Sequence, residues 1–195
     1  MSATLDWSTS CQGYALRITA ESWRQIDREC RRSDSVETGG ILIGHYTKDE
    51  STAVVTEALP PPKDSARGRS WFHRGVAGLR GLLAKRWESE LRTYYVGEWH
   101  FHPASIVEPS GEDLNQMHAI SADQRYHCRE PIMVIVGKAA PGEDRPVRAF
   151  VFPNEAPFVE FLESGDPGPG DLIQQTAVKM FDLGLGFWVR RLIGR

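Results

Sequence analysis

The run Tyr94-Tyr-Val-Gly-Glu-Trp-His-Phe-His102 is aromatic and alternating, which predicts a β-strand. Trp99 and Phe101 leave one face of that strand and can pack into a core. His100 and His102 leave the other, about 6.6 Å apart at Cα. Two imidazoles so placed suit a pair of nitrogens converging on one Zn²⁺ at about 2.0–2.1 Å each.

The remaining chain supplies the elements of an α/β domain. Tyr14–Thr19 alternates as a strand, and Glu21–Arg32 reads as a helix with Thr19 or Ser22 as its cap. Thr38–Tyr46 is a strand entered through a turn at Gly39-Gly40, and Thr52–Ala58 follows it across a Lys48-Asp49-Glu50 turn. Pro60 through Gly68 is a loop, because three prolines remove three ladder donors. A helical stripe runs through positions 76, 79, 82, 83 and 87 of Arg74–Leu91. Pro103–Pro109 is a loop, Ser110–Ala122 a helix, and Ile132–Gly137 and Val147–Phe152 are strands. Residues 1–11 read as a polar N-terminal extension and residues 12–163 as the domain. Ser164-Gly-Asp-Pro-Gly-Pro-Gly170 marks a flexible boundary, and Asp171–Arg191 a last helix weakened by Gly184 and Gly186, so that residues 164–195 form a C-terminal appendage.

Composition narrows the classes. Hydrophobic residues are 41% of 195, with 18 glycines besides, the usual value for a globular chain. A net charge of −3 lacks the basic excess of a nucleic-acid binder. No run of about 20 apolar residues spans a bilayer, and Met1-Ser-Ala-Thr-Leu-Asp-Trp7 has no basic start or apolar stretch of a signal peptide. Cys11, Cys30 and Cys128 are odd in number, widely spaced and without a CxxC, which fits a reducing cytoplasm.

Ser110-Gly-Glu-Asp113 is by itself a helix start, with Ser110 as N-cap and Asp113 closing a capping box. Beside His100 and His102, Asp113 becomes a candidate third ligand. Two neutral imidazoles and one carboxylate leave a tetrahedral Zn²⁺ one open position, the arrangement of catalytic sites, although the same donors suit Fe²⁺ or Co²⁺. A water there has its pKa lowered from about 15.7 to about 7. Glu37 precedes Gly39-Gly40 and a buried strand, and a carboxylate at an apolar strand mouth is a candidate base with a raised pKa. Other patterns fail: there is no HExxH, no HxE with PCxxC, no GxSxG and no P-loop, and His102 is followed by Pro-Ala.

The set Glu37, His100-x-His102, seven residues, then Ser110-x-x-Asp113 resembles the JAMM motif of the JAB/MPN metallopeptidases, with every position filled. Gly40, Leu42 and Gly44 resemble that family's glycine-rich strand, and the likeness extends loosely from about residue 12 to 155. Trp71-Phe72-x-Arg74 and Tyr95-x-Gly97-Glu98-Trp99-His100 are similar to a bacterial branch whose members accompany ubiquitin-like activating and conjugating enzymes in antiviral (CBASS or related) operons. The resemblance implies a single MPN/JAB-like domain of cytidine-deaminase-like fold, a central mixed curved β-sheet flanked by helices. It implies one Zn²⁺ per chain on His100, His102 and Asp113. Glu37 would take the water's proton and pass it to the leaving amine, and Ser110 would donate to the oxyanion. The scissile bond would follow the C-terminal Gly of a ubiquitin-like modifier, in the bacterial cytoplasm. The cognate activating and conjugating enzymes would be further partners, with neither nucleic acid nor membrane. Phe101 replaces the Ser or Thr common between the two His, and the segment from 164 lies outside the family core. Two other readings stand beside this one: a non-enzymatic MPN-type scaffold, and a small-substrate metallohydrolase on the same fold.

Glu98 shares the parity of the two His and is a rival base, a partner orienting an imidazole, or an ordinary ion pair. His118 sits about 140° around its helix from Asp113 and faces elsewhere. His45, His73 and His127 read as surface residues, and the three thiols as inert. Trp71, Phe72 and Trp87 line a substrate groove or fill the core, and the Pro60–Gly68 loop grips substrate or is simply solvated. The tail helix packs on the domain, pairs with a second copy, or meets a partner or membrane surface.

Overall fold

The computed structural model describes residues 4–9, 13–103 and 106–163. Its strands are β1 (Leu5–Ser8), β2 (Ala15–Ile18), β3 (Thr38–Tyr46), β4 (Thr52–Ala58), β5 (Ala66–Arg67), β6 (Phe72–His73), β7 (Tyr94–His102), β8 (Ile132–Gly137), β9 (Val147–Val151) and β10 (Val159–Glu163). The helices are α1 (Ala20–Ser33), α2 (Leu79–Glu88) and α3 (Gly111–Ala122), with a 3-10 turn at Gln124–Tyr126.

Eight strands close into a barrel in the order β1-β10-β9-β8-β7-β3-β4-β2, with β5 and β6 forming a separate ribbon. The sheet is mixed: β2–β4 and β7–β8 pair parallel and the other contacts are antiparallel. β7 lies between β3 and β8.

Strand alternation sorts the core into two clusters. Leu42, Val96, Trp99, Phe101, Val134 and Val151 pack on one side together with Ile26 and Cys30 of α1. Ile41, Ile43, Met133, Ile135 and Phe150 pack on the other with Met117 and Ile120 of α3. Trp99 is fully buried and its indole N–H donates to the Leu59 carbonyl at 2.9 Å, so its polar edge goes into the core satisfied. α1 forms where its pattern predicts, with the Thr19 hydroxyl accepting from the Ser22 backbone N–H as N-cap.

Near the middle of β7 the register slips: Leu42 opposes Gly97, but Ile43 opposes Tyr95, so Val96 is an extra residue. Such bulges bend a strand and re-aim its side chains. A Cβ on Gly97 would meet the Ile132 carbonyl oxygen at 1.9 Å, so only glycine lets β8 approach here.

Four expectations need correction. The sheet closes into a barrel, because two strands absent from the sequence reading pair with each other. One is β1, in the segment read as an extension; it lies between β2 and β10 and buries Trp7. The other is β10. The helix expected from Arg74 begins only at Leu79, because the Gly75 N–H is taken by the Ser65 hydroxyl and the Val76 and Ala77 N–H groups by the Asp64 carboxylate. Finally, the Pro60–Gly68 loop is not wholly irregular, since β5 lies within it and pairs with β6. Cys11 and the tail 164–195, with its expected helix, lie outside the described residues. Among the described residues, no helix is long and apolar enough to cross a membrane.

Candidate metal centre

β7 carries Glu98, His100 and His102 on the face turned toward α3, and all three are buried. α3 begins at the end of the loop that follows β7, and its first turn aims Asp113 back at the strand. Ser110 caps it: the hydroxyl accepts from the Asp113 backbone N–H at 3.1 Å, and Asp113 Oδ2 accepts from the Ser110 backbone N–H at 2.8 Å. The capping box therefore holds the carboxylate in place by local geometry alone.

His100, His102 and Asp113 each offer a ligand atom, and these atoms lie within 4.8 Å of one another. His100 Nδ1 is 2.8 Å from Asp113 Oδ1, and His102 Nε2 is 3.8 Å from Asp113 Oδ2. In a tetrahedral zinc site with bonds of about 2.0–2.1 Å, donors stand roughly 3.3 Å apart, so small side-chain shifts suffice. Burial disfavours a charged His100, yet its contact with Asp113 and the charges of Asp113 and Glu98 outweigh it and raise its pKa to about 9. Burial also opposes ionisation of Asp113, but His100 and the Ser110 hydrogen bonds bring it down to about 2. Burial lowers His102. Two imidazoles and a carboxylate, buried and converging, fit a divalent cation, whose binding would displace the proton shared by His100 and Asp113.

The β3–β7 register brings the start of β3 to the candidate ligands. Thr38 opposes Phe101 and Gly39 opposes His100. Glu37 immediately precedes the first of these residues. Its backbone N–H donates to the Gly68 carbonyl at 2.8 Å, tying it to the β5–β6 ribbon. Burial raises the half-buried Glu37 carboxyl above its ordinary value; Asp113 and Glu112 add to the shift and His100 offsets part of it. Ser110 is exposed, and its hydroxyl donates to Asp113 Oδ2 at 2.7 Å.

Several residues touch the candidate ligands or Glu98 that the sequence reading did not place there. Gly39 is one: a Cβ there would come within 2.7 Å of His100 Cδ2 and 2.5 Å of the Trp99 carbonyl. Phe72 packs edge-on against His100 at 5.3 Å between ring centres, so it is buried at the site. Arg74 reaches Glu98 from the end of the ribbon, and Gln116 reaches it from α3. Gln116 was legible: three residues after Asp113, it must share that helix face. Glu98 has both oxygens engaged and is not a free base.

The other singled-out residues lie elsewhere. Trp71 is half-exposed above Gly68, and Trp87 is an exposed residue packed on Tyr94, at the opposite end of β7 from His102. His118 is exposed and packs edge-on against Phe152. His73 stands at the rim, 3.2 Å from Glu112. Burial pushes the Cys30 and Cys128 thiols up to about 12, which leaves both inert at neutral pH.

A family model described as prokaryotic homologs of the JAB domain matches residues 19–151. The chain belongs to that family. A relative from Enterobacter hormaechei subsp. hoffmannii is 50% identical over 124 residues, 64% of this chain and 68% of the relative. A second, from Pseudomonas aeruginosa, is 34% identical over 128 residues, 64% of this chain and 76% of the relative. Both carry the name CD-NTase/cGAS isopeptidase. A solution structure of a Desulfitobacterium hafniense protein superposes with a TM-score of 0.49 at 18% identity, covering 75% of this chain and 88% of that one.

Proposed function

We propose that this JAB-domain protein is a zinc-dependent isopeptidase. It hydrolyses the bond after the C-terminal glycine of a ubiquitin-like modifier joined to a CD-NTase-type target, in bacterial antiviral defence. The observation that carries the reading is the buried convergence of His100, His102 and Asp113, with the Glu37 carboxyl near enough to feel the charges of Asp113 and His100. The names of the two relatives support the substrate class.

His100, His102 and Asp113 would hold the ion. When bound, zinc supplies Lewis acidity that brings a water's pKa from about 15.7 to about 7. Glu37 takes a proton from the attacking water and later hands it to the leaving amine. Its raised pKa brings it nearer the neutral operating range of a general base. Ser110 turns its hydroxyl from Asp113 to donate to the oxyanion of the tetrahedral intermediate. It keeps accepting the Asp113 backbone N–H meanwhile, since a hydroxyl donates and accepts at once. One such donor is worth about 2.7–4 kcal/mol.

The test is incubation with a CD-NTase carrying a covalently attached ubiquitin-like modifier. Release of both partners by the wild type, its loss on chelation and its loss in Glu37→Ala are expected. Cleavage that survives both treatments would overturn the reading.

A further inference from the structure

We propose that Glu98 is a positioning residue for the metal centre: clamped by Arg74, Gln116 and Tyr95, it takes the Nε2 edge of His100 and so presents Nδ1 beside Asp113. The proposal rests on the metal-centre reading above and deepens it.

Glu98 is fully buried, and each of its oxygens is accounted for. Oε1 accepts from Arg74 Nε at 2.8 Å and from the Tyr95 hydroxyl at 3.3 Å. Oε2 accepts from Gln116 Nε2 at 2.8 Å and stands 3.6 Å from His100 Nε2. Arg74, its side chain only 6% exposed, supplies the countercharge and is itself fixed by the Tyr126 hydroxyl and the Gly75 carbonyl. A carboxylate held from three sides cannot swing to serve as a base. It is a fixed acceptor.

Among the described residues, His100 Nε2 is the one buried side-chain nitrogen or oxygen without a hydrogen-bond partner. The opposite ring nitrogen, Nδ1, lies 2.8 Å from Asp113. A neutral imidazole has one lone pair to give a metal and one N–H to place. Since Nδ1 faces the other ligands, the N–H belongs on Nε2. A closure of about half an ångström brings Nε2 and Glu98 Oε2 to ordinary hydrogen-bond length. This makes a carboxylate–histidine–metal relay, which fixes the tautomer, holds the ring plane and strengthens the ligand. Phe72 and Gly39 confine the same ring from its other sides. The stretch Phe72–Arg74 thus braces His100 twice, directly through Phe72 and indirectly through Arg74 and Glu98.

The experiment measures Zn²⁺ affinity of the full chain by competition with a chromophoric chelator. Glu98→Gln is expected to weaken binding roughly 10- to 100-fold. The neutral double variant Glu98→Gln/Arg74→Gln leaves no uncompensated buried charge and separates two roles. If Glu98 acts on His100, affinity stays low in the double variant. If Glu98 merely balances Arg74, the double variant regains wild-type affinity and the proposal falls. The double variant also carries the test should Glu98→Gln alone not fold. Independently, long-range ¹H–¹⁵N spectra of the zinc-loaded wild type are expected to show His100 protonated at Nε2 and metallated at Nδ1. The reverse assignment would overturn the proposal. A wild type that binds no zinc sinks the metal-centre reading itself. Zinc bound equally well by wild type and Glu98→Gln sinks only the role of Glu98.

Discussion

Gly39 stands directly opposite His100 across β3 and β7, and the imidazole occupies the space a side chain on Gly39 would fill. Gly39→Ala would press a methyl group against both the His100 ring and the Trp99 carbonyl, a backbone atom that cannot step aside. It is expected to destabilise the fold by about 1–3 kcal/mol, as overpacking does. It should also weaken metal binding by turning the His100 ring. Denaturant melts and chelator competition check the two effects. Wild-type behaviour in both would show that the site does not depend on this contact.

Glu37→Gln is expected to retain the metal and to lose cleavage by about 10²–10⁴-fold, the range of a general base. Its stability carries a sign. Burial raises the Glu37 pKa in the folded chain, so the folded state holds the proton more tightly than the unfolded one. The contribution of Glu37 is fully present below its unfolded pKa and is lost as the pH rises through the higher folded value. At neutral pH the ionised carboxylate therefore strains the metal-free protein, and Gln relieves it. Metal-free Glu37→Gln should melt at or above the wild type at pH 7, with the gap closing toward pH 4.5. Melting well below the wild type at pH 7 would contradict this.

Ser110 has two duties that separate experimentally. Ser110→Ala is expected to cost about 0.5–2 kcal/mol as a lost N-cap and about 10²–10³-fold in turnover as a lost oxyanion donor. Ser110→Asn keeps a capping oxygen without the hydroxyl. It should restore the melting temperature and leave turnover depressed. Recovery of both together would assign Ser110 to the cap alone.

Asp27 links α1 to the segment between β8 and β9. Its Oδ1 accepts from Arg145 at 2.7 Å and its Oδ2 from Arg31 at 2.8 Å. Burial works against the carboxylate, but these two cations hold its pKa below the ordinary 3.8. A depressed carboxylate contributes stability above its unfolded pKa and loses it as the pH falls through the folded one. Asp27→Asn should lower stability by roughly 1–2 kcal/mol at pH 7, with the gap shrinking below about pH 4. A gap independent of pH would show that packing, not charge, is responsible.

Much of the site was legible because it depends on local periodicity. The alternation of Tyr94–His102 separates Trp99 and Phe101 from His100 and His102, and the spacing of Ser110 to Asp113 forces a capping box whatever else the carboxylate does. β3, β4, β7 and β8 follow directly from their apolar and β-branched runs. The barrel's closure was not legible. β1 and β10 are only four and five residues long, at the short end of what alternation can identify. Only the pairing of these distant ends, with Trp7 buried between them, makes them strands. The roles of Gly39 and Arg74 were hidden for a related reason. Each depends on what faces it across the sheet or the ribbon, which no spacing along the chain reveals.

Everything proposed for this protein stands on His100, His102 and Asp113 holding one divalent ion. Elemental analysis of the chain purified without added metal, beside Asp113→Asn, measures that directly. About one zinc per wild-type chain, absent from the variant, is the predicted result. A folded wild type without metal, or a variant that keeps its full complement, would contradict it and leave Asp113 as a helix cap alone.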